Sequence, residues 1–126
     1  MNVVDSSGWL EYFADAPNAN KFAPAIQNTE DLIVPTLSLY EVFKRVSQQR
    51  SETEALQAIA VMQQGRVVDL NVALALKTAH LSLELSLPMA DSIMLATARE
   101  YQATLWTQDA DFKGVKGIKY FAKAAN

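Results

Sequence analysis

Short apolar runs alternate along the whole chain with longer stretches whose apolar residues recur at helical spacing. That pattern predicts strands separated by amphipathic helices. Val3-Val4 reads as a strand that stops at Asp5, where Ser6 and Ser7 offer N-cap oxygens to a helix carrying Trp9, Tyr12 and Phe13 on one stripe. Leu32-Ile33-Val34 is the second run, and Pro35-Thr36 closes it and opens a helix to about Arg50. After a further helix through Met62, Gly65 breaks the pattern and Val67-Val68 reads as a third strand ending near Asp69-Leu70. The Leu/Ala-rich stretch from Val72 to Leu85 is helical, and Pro88 begins another helix running to about Tyr101. Ala103-Thr104-Leu105-Trp106 reads as a fourth strand and Ile118-Lys119-Tyr120-Phe121 as a short fifth.

Strands separated by helices of this length imply right-handed crossovers and a parallel sheet of four to five strands with helices on both faces, an α/β fold. In an open parallel sheet, residues that follow the strands converge on one crevice although they are far apart in sequence. With 126 residues, no internal repeat and no Gly/Ser-rich linker, the chain is expected to form a single domain over residues 1–126.

Composition narrows the chemistry. Half the residues are hydrophobic and a fifth are charged, which favours a packed core over disorder. Eleven Lys and Arg against fourteen Asp and Glu give a formal charge of −3, so any contact with nucleic acid must be local rather than a global basic field. The absence of cysteine excludes disulfides, thiolate zinc sites, iron–sulfur clusters and cysteine nucleophiles. No apolar run approaches the ~18 residues of a membrane span, and the N-terminus has no basic n-region, so a cytoplasmic location is the expectation.

Acids dominate the expected strand ends. Asp5 follows the first strand, Asp109 follows the fourth with Asp111 two residues on, and Asp91 falls in the first turn of the helix begun at Pro88. Each alone has an ordinary role as a cap, a dipole partner or an Asx turn. Together, like charges ~4 Å apart repel by about 4 kcal/mol at an effective dielectric of 20, a cost that a bound cation reverses. Hard oxygen ligands without cysteine or a histidine cluster select Mg²⁺ or Mn²⁺, and such a site suits phosphodiester hydrolysis. His80 is the sole histidine, so a two-histidine ribonuclease mechanism is excluded. There is no G-x-S-x-G elbow, and the four glycines match neither a P-loop nor a dinucleotide fingerprint. Glu41 lies opposite the stripe Leu39, Val42, Phe43 and Val46, near Leu37, Lys44 and Gln48, so periodicity assigns it to solvent. A phospho-receiver module also gathers acids at a sheet rim, but it needs an adjacent acidic pair where this chain has Asp5-Ser6-Ser7.

Four segments resemble the motif regions of PIN domains: Asp5-Ser6-Ser7-Gly8-Trp9-Leu10-Glu11-Tyr12-Phe13, Pro35-Thr36-Leu37-Ser38-Leu39-Tyr40-Glu41-Val42, Leu87-Pro88-Met89-Ala90-Asp91-Ser92-Ile93 and Thr107-Gln108-Asp109-Ala110-Asp111-Phe112. More closely, the chain is similar to the VapC toxins of toxin–antitoxin pairs. The resemblance implies a three-layer α/β/α fold and a Mg²⁺- or Mn²⁺-dependent endoribonuclease. It assigns catalytic roles to Asp5, Glu41, Asp91 and Asp109, with Asp5, Asp91 and Asp109 as metal ligands. Ser6 and Thr107 are supporting hydroxyls and Asp111 a secondary acid. It adopts Glu41 against the periodicity reading.

The implied partners are RNA, a VapB-type antitoxin whose C-terminal segment lies along or enters the active-site groove, and a second copy of the chain as a homodimer. Lys44 and Arg45, one turn beyond Glu41, are placed for a substrate phosphate or an antitoxin carboxylate, and Lys113, with Lys116, Lys119 and Lys123, for the RNA backbone. The aromatic stripe Trp9, Tyr12, Phe13 fits a core or an antitoxin-facing groove. A stand-alone RNA-processing nuclease and a non-catalytic PIN-like scaffold for RNA or a partner are the alternatives.

Overall fold

The computed structural model describes residues 1–124. Its elements run β1 (Asn2–Val4), α1 (Ser6–Phe13), α2 (Ala19–Gln27), β2 (Leu32–Pro35), α3 (Thr36–Gln49), α4 (Glu52–Met62), β3 (Arg66–Val68), α5 (Val72–Leu85), α6 (Met89–Glu100), β4 (Thr104–Thr107) and β5 (Ile118–Tyr120). All neighbouring strands pair in parallel, in the order β3-β2-β1-β4-β5. The expected α/β fold, a parallel sheet between two helical layers, is the observed one.

Two-residue alternation along the strands builds the two cores. Val3, Ile33 and Leu105 face α5 and α6, where Leu74, Leu81, Met94 and Leu95 cover them. Val4, Leu32, Val34 and Trp106 face the opposite layer, against Trp9, Phe22, Val42 and Met62 of α1 to α4. Trp9 is 1% exposed, so this member of the aromatic stripe is core, while Tyr12 and Phe13 sit partly buried at its margin. Gly8 lets α1 lie directly on this layer: a Cβ there would stand 2.7 Å from the Phe22 ring and 2.8 Å from Val4 Cγ1.

Two details depart from the sequence pattern. The N-cap of α1 is Asp5 rather than Ser6 or Ser7, because the Asp5 backbone is extended and its carboxylate accepts from Ser6 N–H. Helix α2 goes unassigned by periodicity: Pro17, Pro24 and three asparagines disguise it, although Phe22, Ala25 and Ile26 bury one face. Among the described residues no helix is long and apolar enough to cross a membrane.

The strand order matters for function. Connections from β1 run toward β2 and β3, and the chain then returns through α5 and α6 to place β4 on the other side of β1. At that reversal the loops after β1 and β4 separate and leave a crevice at the carboxyl ends of the strands.

Candidate metal and active site

The crevice is an open groove of about 660 Å³ that Asp5, Glu41, Asp91 and Asp109 all line. Asp5 enters from the end of β1. Its own N–H donates to Trp106 O at 2.9 Å, which fixes it to β4. Its carboxylate accepts from Ser6 N–H at 2.8 Å, Ser7 Oγ at 3.0 Å and Thr107 Oγ1 at 2.8 Å. Thr107 is fully buried and also accepts from Asp109 N–H at 2.9 Å, so one hydroxyl links the two strand-end acids. Asp109 in turn caps a 3₁₀ turn over Ala110–Phe112 by accepting from Asp111 N–H at 2.9 Å. Asp91 stands in the first turn of α6.

Oxygens of Asp91, Asp109 and Asp111 lie within 4.8 Å of one another. Asp111, expected as a secondary acid, thus belongs to the tightest trio. Asp5, expected as a ligand, spends its oxygens on three donors at the inner wall of the groove.

Glu41 joins the groove from α3. Ser6 Oγ donates to its Oε1 at 2.7 Å. Leu37, Lys44, Arg45 and Gln48 line the groove beside it. Periodicity placed Glu41 on the correct helical face and misread what that face meets, for the polar side of α3 is the wall of the crevice. Lys44 and Arg45 therefore line the same groove as the acids. Lys113 stays exposed after the 3₁₀ turn and is not among the residues lining this groove. Lys119 lies over the Trp106 ring, 4.2 Å from its centroid, and His80 is exposed on α5, away from the groove.

The acids form no salt bridge among the described residues. Among the described residues the ion pairs are Arg50 with Glu54 and Lys77 with Glu100, none of which lines the groove. Burial raises the Asp5 carboxyl above its ordinary range, the three donors oppose that, and Asp109 adds to it. Asp91 is pushed up to about 8 by burial first, then by the charges of Asp109 and Asp5 and by a hydrogen bond and charge from Asp111. A set of hard oxygen donors from three distant segments, none of them in a salt bridge among the described residues, fits Mg²⁺ or Mn²⁺. Sequence reasoning gave no role to Gln108 and Asn18, which are buried beside Glu11, since single polar residues outside a periodic pattern leave no signal.

The PIN domain family model matches residues 3–118. No curated protein sequence matches. Solved structures share the fold. A chain of a toxin–antitoxin complex from Klebsiella pneumoniae aligns with a TM-score of 0.81 at 18% identity, covering 94% of this chain and 96% of that one. Mycobacterium tuberculosis VapC20, a toxin that cleaves the sarcin–ricin loop, aligns at 0.75 and 17%, covering 92% and 95%. DNA-bound VapBC from Salmonella typhimurium aligns at 0.74 and 14%, covering 97% of each chain.

Proposed function

Because this chain belongs to the PIN domain family, whose model spans residues 3–118, we propose that it is a divalent-metal-dependent endoribonuclease serving as the toxin of a toxin–antitoxin pair. One observation carries the reading: acids from the end of β1, α3, α6 and the β4 loop meet in one groove, and among the described residues none of them is held in a salt bridge. Asp91, Asp109 and Asp5 would hold the ion, with Asp111 beside them. Bound there, Mg²⁺ supplies charge neutralisation at a scissile phosphate and acidifies a water to serve as nucleophile. The protein's own groups do the rest. Ser6 fixes the Glu41 carboxylate facing the groove, where it can take a proton from the attacking water. Thr107 holds Asp5 and the backbone of Asp109 in one register. Lys44 and Arg45 offer positive charge to the phosphates on either side of the cut.

The partners follow from the surfaces. A mixed groove, with Leu10, Phe13, Val46, Ala58 and Val61 beside Gln49, Arg50, Glu54 and Gln57, adjoins the acidic one through Leu10 and suits an amphipathic antitoxin segment whose acidic or amide end reaches Arg45. Val72, Leu76 and Leu83 stand 79%, 68% and 84% exposed along α5, a stripe fit to pair with a second copy. A toxin that cuts RNA and is held by an antitoxin would act in the cytoplasm. The test is cleavage of single-stranded RNA by the purified protein with Mg²⁺ or Mn²⁺. EDTA and Asp91→Asn should each abolish it. Full activity in chelator overturns the metal role, and no cleavage by wild type with either ion overturns the nuclease.

A further inference from the structure

Behind the groove lies a second polar cluster that none of the steps above uses. Glu11 of α1, one turn after Ser7, has both carboxylate oxygens engaged: Oε1 accepts from Gln108 Nε2 at 3.1 Å and Oε2 from Asn18 N–H at 2.8 Å. Asn18 closes the ring by donating from Nδ2 to Gln108 Oε1 at 3.0 Å, and the same nitrogen donates to Ala122 O at 3.0 Å. Gln108 and Asn18 are 6% and 2% exposed. We propose that Glu11 and Gln108 are positioning residues of the carboxylate site, which set where Asp109 stands relative to Asp5.

The ring has one self-consistent arrangement. A carboxylate only accepts, so the Gln108 amide must turn its NH₂ to Glu11 and its oxygen to Asn18. Gln108 sits between Thr107 and Asp109, and successive side chains of an extended chain point to opposite sides. Thr107 turns to Asp5 and Asp109 to the groove, while Gln108 anchors the same backbone from behind. Glu11 belongs to the helix that Asp5 caps, so the ring ties the two acid-bearing segments to each other a second time, independently of the Thr107 hydroxyl. Two buried amides and a carboxylate are a costly way to hold a loop, since apolar packing would do so without desolvation. What they add is a fixed direction.

The inference rests on the reading that the groove binds a divalent ion, and Mn²⁺ affinity, measured by paramagnetic resonance or calorimetry on the full chain, tests it apart from RNA cleavage. Glu11→Gln places an amide where two donors arrive, and Gln108→Glu places two carboxylates face to face. Each should weaken Mn²⁺ binding by about 10-fold or more, as loss of a residue that orients metal ligands does. The double variant Glu11→Gln, Gln108→Glu restores every donor to an acceptor and should recover most of the affinity. Should one single variant fail to fold, the other carries the comparison with the double variant. Single variants that bind Mn²⁺ like wild type, with only a lower melting temperature, would reduce the ring to scaffold and overturn the proposal, as would a double variant no better than the singles. A wild type that binds Mn²⁺ without cutting RNA removes the nuclease and leaves this comparison decisive. A wild type that binds no Mn²⁺ ends both.

Discussion

Replacing Asp91 with asparagine should make the metal-free protein more stable, and only above a definable pH. In the folded chain Asp91 is held up to about 8, by burial first and then by Asp109, Asp5 and Asp111, against an ordinary value of 3.8. Between those two values the native state keeps a proton that the unfolded chain has released, so stability falls as pH rises through the window and levels off above it. Each unit is worth about 1.4 kcal/mol for a fully desolvated group, but Asp91 is only half-buried, and solvent screening leaves on the order of 1–2 kcal/mol. For a domain of this size that corresponds to roughly 3–8 °C in Tm. Thermal denaturation followed by circular dichroism in EDTA, from pH 4 to pH 9, should show the Asp91→Asn curve meeting wild type at the acid end and lying above it at pH 8. Saturating Mg²⁺ should reverse the order, since a ligand at a hundred times its Kd adds about 2.7 kcal/mol to the form that binds it. Parallel curves across the pH range, or a variant less stable at pH 8, would refute the idea that the acids repel one another in the absence of a cation.

Other outcomes are as specific. Ser6→Ala removes the 2.7 Å bond to Glu41 and should cost about 1 kcal/mol or less in stability while lowering kcat for RNA cleavage by roughly 10-fold or more; an unchanged rate would show that Glu41 needs no tether. Gly8→Ala forces a methyl to 2.7 Å from the Phe22 ring and should destabilise by about 1–3 kcal/mol in urea titration, with a neutral result meaning that α2 yields freely. Leu76→Lys combined with Leu83→Lys should convert a dimer to a monomer in light scattering without altering the far-ultraviolet spectrum, and a dimer that survives places the contact elsewhere.

Where physics acts locally, the chain could be read directly. The helix over Val72–Leu85 has the bounds that its pattern implies, because Asn71 accepts from Leu74 N–H to start it and the left-handed Ser86 stops it. The strands were legible because β1, β2 and β4 are short apolar runs buried on both faces, and β3 and β5 are short apolar runs at the sheet edges. Helix α2 was not, since its prolines and asparagines oppose helix by propensity and tertiary burial of Phe22 overrides them. Glu41 shows the deeper limit: helical phase assigns a face, and only the packing of α3 against α1 decides whether that face meets bulk water or a groove. Asp5, Asp91 and Asp109 were legible as strand-end and helix-start acids. Their surroundings were not, for the bond from Thr107 to Asp5 and the closeness of Asp111 to Asp91 depend on side-chain placement that no spacing encodes. Lys113 belonged to a basic run on paper, yet a 3₁₀ turn carries it away from the groove wall.

The pairing of β1 with β4 also sets an order of assembly. Asp5 finds its backbone partner in Trp106 and its side-chain partner in Thr107, roughly a hundred positions later. A nascent chain displaying its first hundred residues to the cell therefore holds an orphaned aspartate and an incomplete sheet. The acidic centre is complete only once β4 has emerged and paired with β1, so a chain cut short before Thr107 lacks the hydroxyl that holds Asp5 and two of the three clustered acids.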